Sequence, residues 1–548
     1  MRRLALAALL AFTSLSSAPL SKAWAGDLLI HGGPIHTGVD AAPTAQAVLI
    51  RDDKILFVGD LAAAKAKAAK DVRDIDLKGA AAYPGFVDAH AHLTGIGLRE
   101  LTLNLDQVKS VAELIAAVKA YAAAHPEGAI YGRGWIETHW PEKRFPTKAD
   151  LDAAAPGRVV VLGRSDGHAS VASTAALAKA GITAATPAPT GGQILKGADG
   201  QPDGMLIDHA QSLVKDVIPP PSEALKREAL RKAGQLYASR GWTGLGNMSV
   251  MADDLALLRD EAAKGAFHIR VDNYMDPSGA AEVLANGPQT DATGLIRVRG
   301  IKLYMDGALG SRGAALLEPY SDAEGLGLQL TQRDQGLALM KKAKAAGAQV
   351  AMHAIGDRGN RMTLDWFEEA LAGDTKARWR IEHAQIVADT DLPRFAKLGV
   401  TASMQPSHAI GDLYFAPARL GKDRLHEGYR WNDFLKAGVV VAAGSDAPVE
   451  VGDPRIEFYA AVYRHSLDGF ANADWHLDEA VTRAEALRML TLAPAYAAFR
   501  EKELGTLEAG KKGDLTAFDQ DLMTIEPKAI LTAQPVLTIV DGKVAFAR

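Results

Sequence analysis

Short apolar runs alternate with Ala-, Leu- and Lys-rich stretches through most of this chain. GRVVVLGRS, GWTGLGNMS, AFHIRVDNYM, IRVRGIKLYMD, AQVAMHAIGD, RWRIEHAQ, GVTASMQPS and GVVVAAGSDAP have the length and the Gly or Asp boundaries of strands. SVAELIAAVKAYAAAH, SEALKREALRKAGQLYA and TQRDQGLALMKKAKAAG have helical composition and lie between such runs. Repeated strand–helix units predict a parallel sheet, and the polar groups gathered where the strands stop favour a (β/α)8 barrel. An open doubly wound sheet is the alternative, but no Gly-x-Gly-x-x-Gly follows the first strand and no phosphate-loop motif occurs.

Both ends of the chain read differently. DLLIHGG, AVLIRDDKILFVG and VRDIDLKG near the start, and DLTAFDQD and PVLTIVDGKVAFA at the end, are β-prone runs broken by Asp and Gly turns. They predict a small β-sandwich-like domain assembled from both termini, from residues 26–83 and 501–548, around a barrel with insertions over 84–500. Residues 129–158 and 185–210, rich in Pro, Gly and aromatic side chains, fit the repeat poorly and are expected at a rim or lid.

The first 25 residues carry Arg2 and Arg3, an apolar stretch over 4–12 and Ala23-Trp24-Ala25, the pattern of a secretory signal cleaved before Gly26. This predicts a periplasmic or secreted protein with no stable membrane insertion after processing. Removing residues 1–25 takes the formal net charge from −5 to −8. Without a basic block, nucleic-acid binding is not expected. The chain has no cysteine, which excludes disulfides, thiolate nucleophiles and Cys-ligated metals. With 548 residues, 48% hydrophobic and 23% charged, it can bury a large core. A homodimer is the common state for soluble proteins of such architecture, although no motif names an interface.

Candidate chemistry begins at PGFVDAHAHL, residues 84–93. His90 and His92 are one residue apart, so an extended strand turns both imidazoles to one side, toward a shared cation; Asp88 has the same parity. His353 in AMHAIGD, His383 in RIEHAQ and Asp446 in GVVVAAGSDAP each follow a strand-like run. Four histidines and an aspartate offer ligands suited to zinc, with manganese, iron, cobalt and nickel as alternatives. A divalent ion lowers the pKa of bound water from about 15.7 toward 7. Asp446 is the expected base that takes the water proton and returns it to the leaving group. His383 is grouped with it as catalytic. Lys302, in RVRGIKLYMDGALGSR, becomes a ligand only if carbon dioxide converts its amine to a carbamate.

Taken together, PGFVDAHAHL, IKLYMDGALGSR, MHAIGDRGN, IEHAQ and GSDAP closely resemble the amidohydrolase superfamily, and within it the YtcJ-like branch that includes N-substituted formamide deformylases. The likeness runs from about Asp27 to the C-terminus and includes LGTLEAGKKGDLTAFD. It implies a distorted (β/α)8 barrel with metal ligands at the C-terminal face. One ion would be held by His90, His92 and Asp446 and a second by His353 and His383, with N6-carboxylated Lys302 as bridge. Two zinc ions are implied, a single ion being the alternative. Trp135, Arg164, His168, Asp306 and Arg312 match positions expected near substrate. At residues 204–210 many relatives resemble Gly-x-Leu-x-Glu-x-Ala, whereas Asp208 stands here, one methylene shorter.

The reaction expected from this set is hydrolysis of an amide-like C–N bond, of an N-acyl or N-formyl amine or a cyclic or peptide-like amide. Esterase or lactonase chemistry would use the same site, and a secreted solute-binding module would use the pocket without turnover.

Overall fold

The computed structural model describes residues 26–471 and 475–548; the expected secretory segment, residues 1–25, lies outside the described residues. At its centre eight parallel strands run in the order β1 Phe86–Ala91, β2 Trp242–Val250, β3 Arg270–Met275, β4 Ile296–Tyr304, β5 Gln349–Ala354, β6 Arg380–His383, β7 Thr401–Met404 and β8 Val441–Ala443. Each is hydrogen-bonded to the next in this order, giving the near-closed barrel expected from the strand–helix alternation. Backbone bonds beyond the strand ends bring β8 to β1: Asp446 N–H donates to His90 O at 2.7 Å and His92 N–H to Ala447 O at 2.7 Å. Gly444 allows this approach, since a Cβ there would lie 2.4 Å from His90 N.

The strand walls are apolar toward the surrounding helices, where Phe86, Trp242, Ile301, Val350, Ile381 and Val441 are buried, as a sheet covered on its outer side requires. The bore is polar instead. Asn247 donates to Asn273 at 2.9 Å, Tyr274 OH to Gln349 at 3.0 Å, and Arg380 to Ser403 Oγ at 2.6 Å. These groups satisfy one another away from water, which is the condition for tolerating them there.

Strands from both chain ends form one eight-stranded sheet. Lys543–Ala547, Pro535–Val540, Leu515–Phe518, Ala81–Pro84, Leu28–His36, Thr44–Arg51 and Lys54–Gly59 follow in spatial order, with Arg73–Asp76 paired to Leu28–His36. It is pinned to the barrel by Arg270 at the start of β3, whose guanidinium meets Asp514 at 2.7 and 2.9 Å and Asp541 at 2.9 Å.

A third sheet is a finding that the strand–helix pattern did not predict. Six strands, in the order Gly192–Lys196, Pro202–Asp208, Ala169–Ala172, Val160–Arg164, Ile130–Trp135 and Leu103–Asn104, form an insertion between β1 and β2. GRVVVLGRS, read as a barrel strand, belongs to this sheet; a short apolar run has no periodicity that separates the two settings. The irregular stretches 129–158 and 185–210 also contribute strands to it rather than standing as bare loops. Among the described residues, no helix is long and apolar enough to cross a membrane.

Candidate active site

The barrel's C-terminal rim gathers His90, His383 and Asp446, whose ligand-type atoms all lie within 4.8 Å of one another and are buried. Asp446 Oδ1 sits 3.3 Å from His90 Nε2 and 3.2 Å from His92 Nε2. That oxygen is buried and has no hydrogen-bond partner. A bare carboxylate oxygen facing two imidazole nitrogens is costly to bury unless a cation completes the group, so these residues fit a divalent ion.

The other ring nitrogens are held from behind. His90 Nδ1 lies 2.7 Å from Glu382 Oε2, His92 Nδ1 3.1 Å from Met248 O, and His383 Nδ1 2.8 Å from Gln405 Oε1. Each acceptor favours a proton on Nδ1 and leaves Nε2 bare, the form in which imidazole binds metal. Glu382 is fully buried. Burial pushes its carboxyl up, but Arg380 and His90 outweigh that and hold it far below the usual carboxylate range. Burial, reinforced by Lys302, lowers His90 to about 4, and burial with neighbouring imidazoles lowers His353 and His383 well below the ordinary value. Burial raises Asp446, yet His90, His92 and His383 keep it well below its ordinary value. Neutral imidazoles around an ionised carboxylate are the donor set that a divalent cation requires.

Backbone geometry aims two of these groups. Period-two alternation would send Glu382 and His383 to opposite faces of β6, but His383 has φ 76° and Ala384 φ 41°. Asp446 has φ 57°. Left-handed conformations at non-glycine residues are strained, and here they accompany convergence of the ligands. Asp88, expected to share the pocket by parity, turns away from it. It accepts from Ser445 N–H at 2.8 Å, Ser445 Oγ at 2.5 Å and Tyr237 OH at 3.0 Å, and so fixes the turn that carries Asp446.

Lys302 and His353, also expected at the site, lie beside this group. Lys302 is buried, with Nζ 3.4 Å from His90 Nε2, and burial lowers it to about 8. His353 packs against His383 with ring centroids 4.5 Å apart. Asp306 lies beneath His353, 3.7 Å from its Nε2, and accepts backbone N–H groups from Ala315, Ile355 and Gly356 at 2.8 to 2.9 Å. It anchors the loops after β4 and β5; burial outweighs those three donors and raises it to about 7.

The remaining expected contacts divide. His168 lines the cavity, packs tilted against His353 with ring centroids 5.0 Å apart and holds Asp208 Oδ1 at 2.6 Å from Nδ1. Burial opposes the imidazolium, but Asp208 prevails and raises His168 to about 9. Asp208 therefore acts on the site through His168. Arg164 is buried between Glu137, at 2.8 Å, and Asp166, and it borders the site with its charge already paired. Trp135 is fully buried in the insertion core and donates to Leu162 O at 3.0 Å; the register shift at Gly134, φ 110°, breaks the alternation it would share with Arg133 and keeps it out of the cavity. Arg312 pairs with Asp322 at 2.9 and 3.2 Å in the loop after β4, outside the cavity walls.

Residues missed in the sequence include Glu382, Arg380, Gln405 and His408. Arg-x-Glu parity along β6 marks the first two as inward-facing. His408 follows β7 in SMQPSH; its ring stacks on His383 and its Nε2, buried without a hydrogen-bond partner, lies 3.8 Å from Asp446 Oδ2.

Two spaces with shared walls border the cluster. A cavity of about 530 Å³ opens past His90, His92, Lys302 and Tyr304, while a chamber of about 60 Å³ lies toward Gln385, His408, Asp412 and Phe415. His168, His353, His383 and Asp446 border both.

Comparison with known proteins agrees with this geometry. The family model described as "Amidohydrolase family" matches residues 73–546. YtcJ of Bacillus subtilis (strain 168) is 31% identical over 533 residues, covering 94% of this chain and 99% of YtcJ. N-substituted formamide deformylase of Arthrobacter pascens is 29% identical over 541 residues, covering 95% of this chain and 98% of the relative. The crystal structure of an uncharacterized metal-dependent hydrolase from Pyrococcus horikoshii OT3 superposes with a TM-score of 0.75 at 27% identity, covering 91% of this chain and 99% of that one. With its motifs, its barrel and its buried His–His–Asp group in agreement, the chain belongs to the amidohydrolase family and has the site of a metal-dependent hydrolase.

Proposed function

We propose that this protein hydrolyses the C–N bond of a small N-acyl or N-formyl amine. The observation that carries the reading is the convergence of His90, His383 and Asp446 beside a site that is narrow on one side and wide on the other. The chamber of about 60 Å³ has room for a few non-hydrogen atoms, the size of a formyl or acetyl group, while the wider cavity takes a larger amine. The similarity to N-substituted formamide deformylase supports the same division.

A divalent ion at His90, His383 and Asp446 would supply an acidified water and polarise the carbonyl. Asp446 takes the water proton as oxygen attacks the carbonyl carbon, then delivers it to nitrogen as the C–N bond breaks. The products are a carboxylate and an amine. His168, held by Asp208, donates a hydrogen bond to the carbonyl oxygen as charge develops there.

Two zinc ions, with His92 and His353 as further ligands, are our fuller reading of the site. A buried Lys302 ammonium 3.4 Å from a ligand nitrogen is unfavourable beside cations; its carbamate would supply an anionic bridge instead. The leader pattern over residues 1–25 supports a periplasmic or secreted enzyme.

The test is a panel of N-formyl and N-acetyl amines with matched esters, run with metal counted per chain. Turnover of the amides that is lost in Asp446→Asn, at unchanged fold, supports the reading. Preferential turnover of esters or lactones, or ligand binding without hydrolysis at full metal loading, would overturn it.

A further inference from the structure

A second cleft, of about 590 Å³, lies on the insertion sheet, with Tyr131, Val161, Ser170, Val214, Ile218 and Leu225 among its walls. It is mainly apolar, yet Ser170 Oγ on its floor is buried without a hydrogen-bond partner. A hydrocarbon cannot satisfy that hydroxyl, so it is the apolar walls and not Ser170 that favour an apolar occupant.

The trough adjoins the catalytic cavity. Gln211, its amide anchored on Gly167 O at 3.0 Å, borders both spaces. Tyr131 and Arg133 lie two residues apart on the strand Ile130–Trp135, hence on one face and about 7 Å apart along it. Tyr131 lines the trough and Arg133 the catalytic cavity. Gly163 is paired in register with Ser170 and leaves open the floor between them: a Cβ there would meet Arg133 Cβ at 3.5 Å and Tyr131 OH at 3.7 Å, ordinary contacts.

We propose that this trough receives an alkyl or aryl arm on the amine side of the substrate, passing Arg133 and Gln211. The amine-side assignment rests on the small-acyl reading above, because the narrow chamber leaves only the wide side for a long substituent. The enzyme's substrate class would then be N-acyl amines with an extended apolar substituent, each buried methylene contributing roughly a fourfold gain.

The test uses N-methyl-, N-hexyl- and N-decylformamide with the metal-loaded enzyme, and decylamine binding by calorimetry as a readout independent of turnover. The expected result is a kcat/KM at least tenfold higher for decyl than for methyl. Gly163→Leu, which fills the floor from a backbone that accepts a Cβ, should reduce that preference to threefold or less, leave the methyl substrate unchanged and weaken decylamine binding at least tenfold. Tyr131→Ala, at a surface position 41% exposed, should weaken decylamine about threefold or more and guards against misfolding of the first variant. Chain-length independence in the wild type, or an equal loss of methyl and decyl turnover in Gly163→Leu, would overturn the trough while leaving the small-acyl reading intact. Decylamine binding lost in both variants, with no formamide hydrolysed by wild type, would keep the trough and overturn the reaction.

Discussion

Glu382 Oε2 lies 2.7 Å from His90 Nδ1, so a carboxylate on the sixth barrel strand orients a metal-ligand candidate on the first. Glu382 is itself clamped by Arg380, whose Nη2 also reaches Ala89 O at 2.7 Å and Ser403 Oγ at 2.6 Å. The site thus depends on a buried chain of charge-assisted bonds that crosses the bore and fixes the His90 tautomer.

Glu382→Gln keeps an acceptor for His90 but removes the charge and leaves Arg380 without its counter-ion. The expected effect is a metal affinity lowered about 10- to 100-fold. Competition against a graded chelator measures it. Unchanged affinity would mean that His90 is oriented by packing alone.

Asp208 and His168 give a second test. Their 2.6 Å contact joins the insertion sheet to the wall of the catalytic cavity. A hydrogen bond to a charged group contributes on the order of 1.5–3 kcal/mol, so Asp208→Asn should lower kcat/KM by roughly 10- to 100-fold at unchanged metal content. His168→Gln should cost a similar factor, and the double variant little more than either alone, because each single change breaks the same pair. Additive losses would show two separate roles.

These two relationships differ in how far the sequence reveals them. His90, His92, His353, His383 and Asp446 stand out because each ends an apolar run, and a polar group at the end of a barrel strand is open to substrate. Glu382 was hidden in the same motif as His383, since two adjacent residues on a regular strand point oppositely and only the positive φ at His383 reconciles them. Trp135 stands out as an aromatic beside irregular sequence, but the register shift at Gly134 turns it into the insertion core, and no local pattern announces that shift. The eight-strand barrel was legible from repeated strand–helix units. The six-stranded insertion was not, because its Val160–Arg164 strand has the same apolar run as a barrel strand. The polar bore was likewise hidden: Asn273, Gln349 and Arg380 pair across distances that no local pattern encodes.

Arg270 tests how the terminal sheet is held. Its guanidinium is buried against Asp514 and Asp541. Arg270→Ala leaves buried carboxylate charge uncompensated, a change that typically costs about 3–5 kcal/mol. Urea unfolding should show a lower midpoint. Activity at low denaturant should stay close to wild type, because the pair lies at the opposite end of β3 from the metal group.

Asp521 provides the pH test. Its Oδ1 accepts from Tyr83 OH at 2.9 Å and Met523 N–H at 3.0 Å and lies 2.9 Å from His36 Nε2, which ties residue 521 to the N-terminal strands. Burial raises its carboxyl, but the His36 contact and the Met523 and Tyr83 donors outweigh it and lower the group from 3.8 to about 2. A carboxyl depressed in the folded state binds fewer protons there than in the unfolded chain, so stability falls as pH falls. Its contribution is fully present above 3.8, declines between 3.8 and about 2, and is absent below that range. Partial exposure limits the contribution to about 1 kcal/mol. Asp521→Asn should therefore unfold at lower urea than wild type at pH 5, and the difference should shrink as the pH approaches 2. A gap that stays constant across that interval would assign the loss to altered packing around Tyr83 instead of to the carboxylate's charge.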